Sequence, residues 1–208
     1  MRKLAYLAAA TAVTGLLAGS AGTAASAATA RSTATQGAGA QVRGGVTTVT
    51  TAPGIASALL ENGIAPFATW PGTQSVRAGQ GGPAVQFTFP VTGGHVTASP
   101  LGGNVNHIGG ILFVNVKNGK SITVSRFTID LTHAELTGIV NGNPKARVPL
   151  FRLGFSHARL GGGKHTITAS GIVLKLTSAA AKALNAALGS KLFTAGLKLG
   201  TARTLLRI

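Results

Sequence analysis

The chain has 208 residues and no cysteine. That excludes disulfides, thiolate metal sites and cysteine nucleophiles, so a folded domain here must rest on its apolar core. Acids are nearly absent as well. Glu61, Asp130 and Glu135 are the only carboxylate side chains. Three scattered acids do not make a glycosidase pair, and no G-x-S-x-G elbow seats a serine nucleophile. There is one tyrosine, Tyr6, and one tryptophan, Trp70. Beyond Ala18 no apolar run approaches the ~20 residues of a membrane-spanning helix. No dense Lys/Arg block with interleaved aromatics occurs, which argues against specific nucleic-acid binding. The histidines His95, His107, His133, His157 and His165 show no helical metal spacing, so no metal site is expected.

What is present begins at the N-terminus. Arg2 and Lys3 precede an apolar stretch from Leu4 to Ala18, and Ala25-Ser26-Ala27 has the small-x-small form of a cleavage site. This order predicts a secretory signal peptide over 1–27. Residues 28–45 are rich in alanine, glycine, threonine and serine, and read as a disordered leader. Residues 46–208 read as one β-rich domain, long enough to bury a core. The charge is lopsided, with nineteen Lys and Arg against three acids. Without Arg2 and Lys3, seventeen bases remain and the formal charge is +14. Such a field attracts anionic envelope polymers or a lipid surface.

The patterning is mainly that of strands. Val85, Phe87, Phe89 and Val91 alternate with polar or small residues, a period of two. Gly93-Gly94 reads as a turn into His95–Ser99, and Asn118-Gly119 as a hairpin turn. Ile122 and Val124 share a face, and then the phase slips to Phe127, Ile129 and Leu131. That slip predicts a β-bulge at Arg126. Leu136–Val140, Val148–Phe155, Thr166–Leu176 and Thr201–Ile208 follow as strands, with Asn141-Gly142 a turn and Gly161–Gly163 a loop. A short helix is predicted over Thr51–Asn62, capped by Thr51 and stopped by Gly63. Residues 64–83 read as irregular. Thr177–Leu188 is the second helix, alanine-rich and ended by Gly189. The fold class expected is a β-sandwich or barrel-like single domain with two helices.

Few residues here carry chemistry. Gly119-Lys120-Ser121 resembles the end of a phosphate loop, but Val114 stands where that motif needs glycine and a strand follows where it needs a helix. Asp130 lies mid-strand and reads as a solvent-facing or paired charge. His107 stands among small residues in Gly103-Asn104-Val105-Asn106-His107-Ile108-Gly109-Gly110. It reads either as a histidine at a strand end near a glycine bend, or as an uncrowded imidazole that a ligand can approach.

The order of these pieces resembles the HtaA family of secreted or wall-associated haem-binding domains. The likeness runs from Phe87-Thr88-Phe89-Pro90 through Gly103-x-Val105-x-His107-x-Gly109-Gly110 and Phe127-x-Ile129-x-Leu131 to Leu136-Thr137-Gly138. It continues through Val148-Pro149-Leu150-Phe151, the helix Leu176-Thr177-x-x-Ala180-Ala181-x-x-Leu184 and Phe193-x-Ala195-Gly196. The resemblance implies a secreted β-rich fold. It also implies haem held by a tyrosine of an aromatic N-terminal segment, assisted by the histidine that matches His107. The corresponding segment here, Ala52–Trp70, offers Phe67 and Trp70 and no phenol. The expectation is therefore a non-enzymatic, extracellular or envelope-associated domain retained by its charge, with no cofactor required. The alternative is a carrier of haem or another apolar ligand that uses His107, Phe67 and Trp70.

Overall fold

The computed structural model describes residues 39–79 and 81–208. The expected signal peptide and residues 28–38 of the expected leader lie outside them. The strands are β1 (Ala40–Val42), β2 (Gly44–Thr51), β3 (Ile64–Thr69), β4 (Thr73–Gly79), β5 (Gly82–Ala98), β6 (Leu101–His107) and β7 (Gly110–Asn115). They continue with β8 (Ser121–Asp130), β9 (Glu135–Val140), β10 (Arg147–Gly154), β11 (Arg159–Gly163), β12 (Thr166–Leu176) and β13 (Lys198–Arg207). The helices are α1 (Ile55–Glu61) and α2 (Ser178–Leu188).

All strand pairs are antiparallel. The path β5-β2-β13-β12-β10-β9-β8 is closed by β6, which pairs with both β8 and β5. The result is a closed barrel of eight strands rather than a sandwich. Closure leaves no open edge along this path. The remaining strands extend the wall: β7 and β3 beside β8, β4 and β1 beside β5, and β11 beside β12.

The alternating residues point where their period demands. Phe87, Phe89 and Val91 are buried, as are Ile122 and Val124 on β8. The phase slip on β8 is a bulge. The register with β9 shifts between Ser125 and Thr128, and Arg126 has φ 49°. The bulge puts Phe127 and Ile129 back on the inner face and divides β8 between two partners. Residues 121–125 pair with β7 and residues 128–130 with β6. Phe89 and Phe127 meet edge to face with ring centroids 4.9 Å apart.

Helix α2 closes one end of the barrel. The Thr177 hydroxyl accepts from the Ala180 N–H at 3.1 Å and donates to the Pro149 carbonyl at 2.7 Å, so one side chain caps the helix and ties it to β10. Ala180, Ala181, Leu184 and Leu188 are buried, and Gly189 ends the helix at φ 61°. At that C-terminus the Leu188 carbonyl accepts from the amides of Asn115 and Asn118, at 2.8 and 3.0 Å.

Several local expectations are corrected. The domain starts earlier than residue 46, because Ala40–Val42 and Gly44-Gly45 are strand residues within the expected leader. Helix α1 starts at Ile55 after Gly54, not after Thr51. Thr51 ends β2, and its hydroxyl accepts from the Val85 N–H at 3.0 Å. Residues 64–83 are not irregular but supply β3, β4 and the start of β5. Gly93-Gly94 does not turn the chain, since β5 runs straight through it while its partner changes from β2 to β1. Gly161–Gly163 is part of β11, not a loop. Where strands replace expected loops, backbone pairing overrides a weak local signal, across a hairpin for β4 with β5 and β11 with β12, and over more than 40 residues for β3 with β7.

Candidate functional site

The most polar place inside the barrel is a chain of three side chains from three strands. His107 is the last residue of β6 and is 5% exposed. The bulged end of β8 brings the Phe127 carbonyl to 3.2 Å from His107 Nδ1. On β2, Thr47 Oγ1 lies 2.7 Å from His107 Nε2. Cross-strand pairing sets Thr204 of β13 opposite Thr47, with their hydroxyls 3.0 Å apart.

A carbonyl can only accept, which fixes the direction of the whole chain. His107 Nδ1–H donates to Phe127 O. The Nε2 lone pair accepts from the Thr47 hydroxyl, and Thr47 in turn accepts from Thr204. Every polar atom of this network is used. Among the described residues, no buried side-chain nitrogen or oxygen lacks a partner. Burial lowers the His107 pKa from 6.5 to about 4, against the smaller opposing pull of the Phe127 and Val105 carbonyls. His107 is therefore a neutral imidazole at neutral pH.

This arrangement has the outline of a hydroxyl, base and orienting group, but it lacks what the chemistry needs. The orienting group is a neutral carbonyl rather than a carboxylate. An apolar surrounding that holds the histidine neutral disfavours the imidazolium a general base must become. The carboxylates are elsewhere. Asp130 Oδ2 is 2.7 Å from His133 Nδ1, and Glu135 Oε1 is 2.9 Å from Arg152. The His133 hydrogen bonds, backbone first and then side chain, hold Asp130 below the usual carboxylate range. The same side-chain bond raises His133. The expectation of a paired charge at Asp130 agrees with this geometry. Among the described residues, no group of three metal-ligating side chains forms.

Two apolar cavities flank the polar chain. One, of about 90 Å³, lies on the side of α1 and α2, and Thr47, His107, Phe89, Phe127, Leu174 and Phe193 are among its walls. The other, of about 320 Å³, lies toward the opposite barrel end and is reached by Thr204, Val105, Ile129, Ile172 and Leu206. Thr47 and His107 thus face one space and Thr204 the other, so the network forms the partition between them.

Of the three residues singled out in the sequence, only His107 is in this interior. Phe67 is 47% exposed on β3, while its neighbour Pro66 lines the smaller cavity. Trp70 is 89% exposed just beyond β3. The fold does not bring Phe67 or Trp70 to His107. The residues that do meet it, Thr47 and Thr204, went unnoticed in the sequence. Thr47 sits between Gly45 and Val49 on the inner face of a threonine-rich strand, and only register separates it from the outward Thr48.

No protein-family model matches the chain, and no curated protein matches it. Among solved structures, it is similar to the C-terminal domain of HtaA from Corynebacterium glutamicum, with a TM-score of 0.51 and 18% identity. The match covers 79% of this chain and 98% of that one. It is also similar to a histidine-to-alanine variant of that domain, crystallised as a domain-swapped dimer. There the TM-score is 0.50 at 18% identity, over 74% of this chain and 87% of the other. The fold is HtaA-like, as the resemblance of the sequence implies.

Proposed function

We propose that this HtaA-like barrel is a non-enzymatic binding domain that works outside the cytoplasm and is retained on anionic envelope polymers by its charge. The observation that carries this reading is the distribution of bases. Apart from Arg2, Lys3 and Arg31, all sixteen Lys and Arg fall in the described residues, and every one is exposed. Among those residues only Arg152 is ion-paired with a carboxylate side chain. The described domain therefore carries fifteen bases with no carboxylate partner, besides Arg152, against three acids, a formal +13. The barrel interior adds no competing chemistry, because its histidine is neutral and both ring nitrogens are engaged.

The test is sedimentation of the exported protein with isolated anionic wall polymer across a salt series. Exposed charges are screened within ~10 Å at 0.1 M salt, so binding should fall about tenfold or more between low salt and 0.5 M. Retention that ignores salt would overturn this reading and point to a shaped pocket or a covalent link.

Haem is what the family resemblance brings to this chain, and the interior does not fit it. No tyrosine occurs among the described residues. His107 Nε2 already accepts the Thr47 hydrogen bond, and the cavity beside it holds only about 90 Å³. A drug-sized ligand needs about 300 Å³ or more. Titration of the protein with haem should give weak or no binding by visible absorption. A tight complex with an imidazole-type spectrum that is lost in His107→Ala would instead favour the carrier reading.

A further inference from the structure

We propose that the larger cavity binds the alkyl chain of a medium-chain fatty carboxylate, with the carboxylate held at the basic barrel mouth. This site is separate from the charge-driven binding proposed above and does not depend on it. The cavity holds about 320 Å³, within the range of small-molecule sites, and mouths of β-barrels are a common place for them. Its walls are apolar, aliphatic apart from Phe155. Thr97 and Thr204 are its only polar side chains. The Thr204 hydroxyl is occupied by Thr47, and that of Thr97 donates to the Pro100 carbonyl at 2.9 Å. Both hydroxyl protons are thus used, so an occupant finds no hydrogen-bond donor inside, and a carboxylate cannot be satisfied there.

The cavity opens to solvent. Leu101 and Leu160 both line it, yet they are 43% and 72% exposed. Exposed leucines at the rim of an enclosed apolar space are what an entering chain would cover. The charge at this end of the barrel selects the head group. Arg159 lies between the wall residues Ala158 and Leu160, and Arg207 follows Leu206. Arg43 follows β1 and is joined to Arg207 through its backbone N–H at 2.8 Å. Lys164 sits in the β11–β12 hairpin. All four are exposed. The two acids at this end, Asp130 and its cross-strand partner Glu135, are engaged by His133 and Arg152. A single chain with an anionic head satisfies both halves, the dry interior and the positive mouth. A cationic head is repelled.

The experiment is calorimetric titration of the full exported protein with dodecanoate below its micellar concentration. Decanoate and dodecyltrimethylammonium serve as comparisons. Each buried methylene contributes about 0.8 kcal/mol, so decanoate should bind about tenfold more weakly than dodecanoate. The cationic amphiphile should bind more weakly still. Ala169→Phe fills the cavity from β12 and should abolish binding. Leu160→Ser changes only an exposed rim residue, and should weaken binding several-fold while the circular dichroism spectrum stays the same. Absence of dodecanoate binding would overturn the proposal, as would equal affinity for the cationic amphiphile. Binding to anionic phospholipid vesicles without binding of dodecanoate would also overturn it, in favour of a membrane surface. Failure here leaves the salt-dependent wall binding intact, so the two readings are separable.

Discussion

Acidification from pH 7.5 to 4 should cost the folded domain about 3 kcal/mol through His107 alone. In the fold this imidazole titrates at about 4, because burial disfavours its charged form, against 6.5 when exposed. Between those values the unfolded chain binds a proton that the folded chain refuses. The contribution is therefore fully present above pH 6.5 and is lost progressively as pH falls toward 4. The usual sources of acid unfolding are scarce here, since the chain has three carboxylate side chains. The Asp130–His133 pair adds two small effects of opposite sense. Asp130 is held low, so its contribution is lost at still lower pH. His133 is raised, so its contribution is lost as pH rises through its folded value. Both groups are exposed and screened. Urea midpoints measured across this pH range test the prediction against His107→Gln, whose amide can hold both neighbours without titrating. The variant should show a much flatter profile. An identical profile would place the acid lability elsewhere.

Gly103→Ala should destabilise the domain by about 3 kcal/mol or more. Gly103 has φ 94°, and a left-handed residue with a side chain costs about 1–3 kcal/mol in backbone strain. The larger effect is position. A Cβ at Gly103 would fall on the carbonyl oxygen of His95 across the β5–β6 pair. That oxygen is backbone and cannot swing aside. Relief requires opening β5 from β6, and β6 is the strand that closes the barrel onto β8. Chemical denaturation of Gly103→Ala measures the loss. Gly142→Ala is the control, because a Cβ there meets nothing within 4 Å although its φ of 70° is also positive. Equal stability of the two variants would refute the role of the seam.

Much of the scaffold was legible because it rests on local rules. Period-two alternation from Val85 to Val91 is a property of the pleat, and it predicts the inner face without any partner. The slip at Arg126 announces a bulge, since one extra residue must shift every later side chain to the other face. Thr177 and Gly189 frame α2 through chemistry confined to one helical turn at each end. The near absence of carboxylates and the lack of cysteine exclude most catalytic designs by composition alone.

Tertiary structure alone decided the rest. Barrel closure depends on β6 meeting β5 and β8, across as many as 26 residues between Asn104 and Asp130, and no local pattern encodes that pairing. The weakly patterned residues 64–69 become a strand against β7, more than 40 residues further along the chain. The interior site shows the same division. His107 stands out for its glycine setting, but its partner Thr47 is 60 residues away, and the next hydroxyl in the network, Thr204, lies 157 residues from Thr47. Phe67 and Trp70 are apolar in composition and still face solvent, because composition does not say which face of a strand a side chain takes. A threonine on the inner face looks like a threonine on the outer one until β2 is set in register against β13, and register is a property of the closed sheet rather than of either strand.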